Sequence, residues 1–156
     1  MTYRITGLDP APYKPLFGLA DEELAERGIV RMTVTQKPSF PCRVSLTDRE
    51  IGESVLLLNH FSHDVANPYR ASHAIFVAEE AEEAAEFVDR VPPVLESRVL
   101  SLRGFDSRGM MADALLAQPG EADAAIRRLF DNPTIETIHA HNATRGCFSA
   151  RIERHS

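Results

Sequence analysis

Short runs of alternating apolar and polar residues dominate this chain, and few helical stretches separate them. A period of two is the mark of a strand with one buried face. In residues 29–35, Val30, Met32 and Val34 fall on one side and Arg31, Thr33 and Thr35 on the other. Residues 42–46 repeat the pattern, with Cys42, Val44 and Leu46 on the apolar side. Residues 54–60 contain Val55, Leu56, Leu57 and Leu58, apolar on both faces, as a central strand requires. Residues 73–77 and 99–105 are further strands, and residues 110–116 fit either a strand or a helix. Ala81, Ala84, Ala85 and Val88 form a helical stripe over residues 80–89. Ala122, Ala125, Ile126, Leu129 and Phe130 form another over residues 120–132, with Pro119 and Pro133 at its ends. Asp21 can cap a short helix over residues 22–27 that Gly28 ends. Strands in runs with few crossovers predict an α+β fold: a mainly antiparallel sheet with two or three helices packed on one side. At 156 residues, one globular domain over residues 1–156 is the expected organisation.

Charge and composition exclude several partners. A net charge of -6 argues against nucleic-acid binding, which needs a basic face. No apolar run approaches the length that spans a bilayer, and the opening residues lack a signal-peptide core. The two cysteines, Cys42 and Cys147, are too few for a disulfide framework, so the expected location is the cytoplasm. Lys14 and Lys37 are the only lysines. The other cations are arginines, whose planar fork suits carboxylates and phosphates.

The last twenty residues concentrate the chemistry. His139, His141, Asn142, Arg145 and Cys147 lie within nine positions, between runs that read as strands. Matching the apolar faces of the two runs sets His141 opposite Cys147 and His139 opposite Ser149, across a loop over residues 142–146. Both histidines and the thiol then share one face.

Three chemistries follow. His139-x-His141 is a workable pair of metal ligands, with His60, His63 or His73 as a third. No carboxylate stands at a diagnostic spacing, so no metal is expected. Cys147 opposite His141 is a candidate nucleophile and base, although no cysteine-hydrolase signature surrounds it; Cys42 reads as a core residue. The leading reading is an anion pocket. Arg70, Ser72 and His73 come from the polar loop before a strand, and His139, Asn142 and Arg145 from the terminal ribbon. Arg43 and Arg103 could join them, because bidentate guanidinium contacts are strong. Around Arg103 and Asp106 the glycines indicate a tight turn, and the acidic run Glu79, Glu80, Glu82 and Glu83 a solvated helix start. Phosphate-loop, dinucleotide, zincin, thioredoxin and serine-hydrolase motifs are absent.

Four stretches together resemble a bacterial family catalogued as a domain of unknown function, number 1203. They begin at Arg4-Ile5-Thr6-Gly7-Leu8-Asp9-Pro10, Pro41-Cys42-Arg43-Val44-Ser45-Leu46, Pro68-Tyr69-Arg70-Ala71-Ser72 and His139-Ala140-His141-Asn142, the last continuing to Arg145-Gly146-Cys147. The resemblance covers almost the whole chain. It implies a compact bacterial protein and brings no activity, cofactor or catalytic residue. The expected function is therefore binding of a small phosphate- or carboxylate-bearing ligand. A metal- or thiol-dependent enzyme using His139, His141 and Cys147, or a protein-interaction module, is the alternative. Cofactor content and self-association stay open.

Overall fold

A computed structural model describes residues 1–156. It contains two sheets where the sequence suggests one. The first runs β7(Glu86–Val88), β1(Thr2–Thr6), β11(Phe148–His155), β10(Thr137–Asn142), β8(Leu100–Phe105), β9(Met111–Ala117). The second runs β2(Val30–Thr33), β5(Ser54–His63), β6(Ala71–Ala78), β3(Pro41–Cys42), β4(Thr47–Asp48). Every pairing is antiparallel except β3 with β6. The helices are α1(Asp21–Glu26), α2(Pro93–Glu96) and α3(Ala122–Phe130), so the fold is α+β.

Each sheet has its own core. One face of the first sheet, with Tyr3, Ile5, Leu102, Ile138, Ala140 and Ile152, packs against Val94 and Leu95 of α2 and Ile126, Leu129 and Phe130 of α3. The apolar stripe on α3 is the one the 3.6-residue period predicts, and a large-to-alanine change in it costs about 2–5 kcal/mol. The backbone of β8 lies so close to this core that a Cβ on Gly104 would sit 2.6 Å from Ile135 Cδ1. The second core gathers Val55, Leu56, Leu58, Ile75 and Val77 of β5 and β6 with Val34, Cys42, Val44 and Leu24 of α1. The edge strands are β7 and β9 in the first sheet, where Leu116 of β9 is 62% exposed, and β2 and β4 in the second.

Three expectations need correction. Residues 80–89 form no helix; they turn and then enter β7. Their backbone is engaged elsewhere: Ala85 N donates to the Val44 carbonyl and Gly7 N to the Ala85 carbonyl, both at 2.9 Å. The repelling acidic run has no tertiary support for an isolated helix turn. Residues 42–46 are not a continuous strand, because after β3 the chain turns and Leu46 takes φ 52°. In β2 the apolar alternation does not set burial: Val30 is 53% exposed while Ile29 and Val34 are buried.

Candidate functional site

The terminal ribbon does not have the register that matched alternation predicts. His139 lies opposite Arg151 and Ala140 opposite Ala150, but His141 lies opposite Phe148. Ser149 is therefore an extra residue, and the bulge turns Phe148 onto the histidine face. Two more bulges flank the same place. Ser62 is extra in β5, which brings His63 to the side of His60, and Ala112 is extra in β9 opposite Phe105. Bulges of this kind re-aim side chains.

The result is a seam between the two sheets filled with rings. The His63 and His139 rings are 5.2 Å apart, and those of His73 and His141 4.9 Å. Phe148 packs on His60, His139 and His141, and Phe105 on His63 and His139. Five of the six histidines meet here. His139 and His141 are each 2% exposed. Burial, then the charges of His63, Arg151, His141 and Arg103, pushes His139 down to about 3. Burial takes His141 down to about 4; the Gly146 carbonyl opposes this, while Arg103, His73 and Arg43 add to it. Burial also lowers His60 and His73. Every cause here except that carbonyl disfavours the imidazolium. His141 Nδ1 donates to the Gly146 carbonyl at 2.9 Å and His63 Nε2 to the Gly109 carbonyl at 2.8 Å. His139 Nδ1 is buried with no partner. No three His, Cys, Asp or Glu side chains are placed to hold a metal ion, and His139 and His141 are 6.5 Å apart.

Asn142, Arg145 and Cys147 lie elsewhere. Asn142 follows His141 in β10 and so points to the other side of the ribbon. All three line a cleft of about 480 Å³ with Arg43, Arg98 and Thr144; Met32, Pro38, Phe40, Pro41 and Phe76 form its apolar wall. Arg43 is its floor. It is 2% exposed, yet it pairs with no carboxylate. Its Nε donates to the Phe148 carbonyl at 2.8 Å, Nη1 to the Pro41 carbonyl at 2.6 Å and Nη2 to Cys147 Sγ at 3.3 Å. Burial works against its charge, and the Cys147 sulfur works for it. Arg98 is neutralised by Asp48 at 2.7 Å. Arg145 is exposed at the mouth and makes no ion pair. No acidic side chain lines the cleft.

The residues read as one site from sequence are thus divided. His73, His139 and His141 meet in the seam; Asn142, Arg145 and Cys147 meet in the cleft. The expected pairing of Cys147 with His141 is absent, because Asn142 Nδ2 and Arg43 hold the sulfur while Gly146 holds the imidazole. Arg70 joins neither group: it pairs with Asp64 at 3.0 Å and lies over the Phe61 ring. Ser72 is exposed, on the opposite side of β6 from His73. Arg98 and the apolar wall went unseen in the sequence. Asp106 makes the turn expected of it, accepting from Arg108 N and Met110 N, which hold its carboxyl below the usual range. Glu79, in the acidic run, is held by Arg31, Ser54 and Gly18 at about 2.

Residues 39–154 match the family model described as "Protein of unknown function (DUF1203)". The chain belongs to the DUF1203 family. The matched span contains the whole cleft except Met32, Gln36 and Pro38, and the whole seam except the Tyr13 contact to His60. No curated protein and no solved structure matches the chain. The functional reading of this DUF1203 member therefore rests on its own residues.

Proposed function

We propose that this chain binds a small anion with an apolar body in the cleft between Arg43 and Arg145, in the cytoplasm of a bacterium. One observation carries the reading. A guanidinium that is 2% exposed faces a 480 Å³ cleft with no carboxylate on its walls. An arginine cannot escape burial by losing its proton, so carbonyl dipoles and a sulfur carry its charge. A ligand carboxylate or phosphate would supply the missing counter-charge. Arg145 and the amide of Asn142 offer further donors, and Phe40, Phe76 and Met32 offer contact to an apolar body. Convergent polar groups on a largely apolar wall are the usual composition of small-ligand sites. Free thiols at Cys42 and Cys147 suit a reducing compartment.

Thermal shift in phosphate, acetate and benzoate tests the reading. Benzoate should protect more than acetate, because only it uses the wall. Protection follows mass action, about 2.7 kcal/mol at a hundred times Kd. It should be reduced to about half in Arg145→Ala and kept in Arg70→Ala. No protection by any anion up to millimolar concentration would end the proposal.

A second reading, a thiol-dependent enzyme, has one observation in its favour: Cys147 Sγ lines the same cleft, 3.3 Å from Arg43 Nη2. His141 would not be its base, so an incoming substrate or water would have to take the proton. Alkylation of Cys147 slowed by bound benzoate would place the sulfur at the ligand. Turnover lost in Cys147→Ser with binding intact would decide for an enzyme.

A further inference from the structure

We propose that the histidine seam is a proton-operated latch: in mild acid the two sheets part at this margin while each sheet keeps its own core. The two margins of the contact between the sheets are built differently. At the β1–β7 side the main chain ties them, through Ala85 N to Val44 O and Leu8 N to Arg43 O at 2.8–2.9 Å. These bonds do not titrate. At the β8–β10 side the contact is made by side chains, and most of them are imidazoles.

The surroundings of each ring are cationic or neutral. His139 faces His63 from β5, Arg103 and Phe105 from β8, Arg151 and Phe148 from β11, and His141 on its own strand. Arg151 is itself held by Glu153 at 3.1 Å. His141 faces His73 from β6, Ser101 and Arg103 from β8, the Gly146 carbonyl, and the charge of Arg43. His73 meets Ser62 and His60 of β5 and the charge of Arg103; His60 meets the Tyr13 hydroxyl and Phe148. No carboxylate bonds to any of the five. A proton added to the closed seam therefore has no counter-charge, and one added to His139 has no hydrogen-bond partner for Nδ1.

Exposed to water, each imidazole takes its proton near the ordinary value of about 6.5. The closed form holds His60, His73, His139 and His141 neutral to lower pH, so the open form binds more protons and closure is favoured above about pH 6.5. As pH falls below that, the opening constant rises about tenfold per pH unit for each histidine released. Release of His139 and His141 together gives about a hundredfold between pH 6 and pH 5. Both cores lie outside the seam, and the carboxylates at Glu79 and Asp123 titrate far lower.

Amide hydrogen exchange on the whole chain at pH 7 and pH 5, corrected for intrinsic rates, tests the latch. Protection should fall at the His60–His73 ends of β5 and β6, at residues 103–110 and at residues 139–148. It should persist in α3 and in β5 around Leu56. Unchanged protection, or equal loss everywhere, would overturn the proposal. His139→Phe should lower the pH dependence of opening by about one proton; if it does not fold, His73→Gln replaces it. Imidazole signals of the unaltered chain give a second measure. His139 and His141 titrating near 6.5 with exchange unchanged would also overturn the latch.

Discussion

The cleft and the seam are both rich in basic side chains and poor in acids, yet they bury those side chains by opposite means. Arg43 cannot give up its proton, so the fold surrounds it with two carbonyls and a sulfur and leaves one side open. His139 and His141 can, and the fold packs both as neutral rings against Phe148. A permanent cation kept at an open cleft suits an anion that comes and goes. Neutralised bases at a closed contact suit a response to pH. The two regions adjoin, because Phe148 gives its carbonyl to Arg43 and its ring to the histidines.

Four changes would break or sharpen this contrast. The largest effect belongs to Gly7→Ala at the main-chain margin. A Cβ there would collide with the Val44 carbonyl oxygen, and a backbone clash that cannot relax should cost about 3 kcal/mol or more in urea unfolding. Next is Arg43→Leu, which leaves the Phe148 and Pro41 carbonyls without their donor. It should cost about 2–4 kcal/mol, the loss reduced by relief of a buried charge, and anion protection should vanish. Third, stability should be flat above about pH 6.5 and fall between about pH 6.5 and 4 as released histidines take up protons; urea midpoints across that range measure the slope. Smallest is Arg145→Ala, whose exposed side chain should change stability by about 0.5 kcal/mol or less while weakening benzoate binding about tenfold. An Arg145→Ala protein that binds benzoate as before would detach the cleft from anion recognition and leave the seam untouched.

Several of the strands were legible because hydrophobic patterning is a local signal. β5, β6, β8, β10 and β11 appear where Val55–Leu58, Ile75–Val77, Leu100–Phe105 and the terminal ribbon place them. Helix α3 was legible from its stripe. The false helix over residues 80–89 shows the limit: an alanine stripe cannot report that Gly7 and Val44 compete for the same backbone groups. The site was half legible. The unusual polar residues of the ribbon line the cleft and the seam, but a single extra residue, Ser149, moved Phe148 onto the histidine face in place of Cys147. Arg43 stood out only as one arginine among many. Its burial depends on the parallel pairing of β3 with β6 and on Phe148, 105 positions away, and no local pattern encodes that.

The margin at β9 has a practical consequence. Met111–Ala117 presents an unpaired row of amides and carbonyls, and Asp113 is the one charge along it. Natural edges are guarded by lysines, prolines or shortness; here seven residues and a projecting Leu116 are left uncovered. Concentrated solutions should therefore favour strand-to-strand adhesion along this side before any other, and a sample handled dilute should stay free of it.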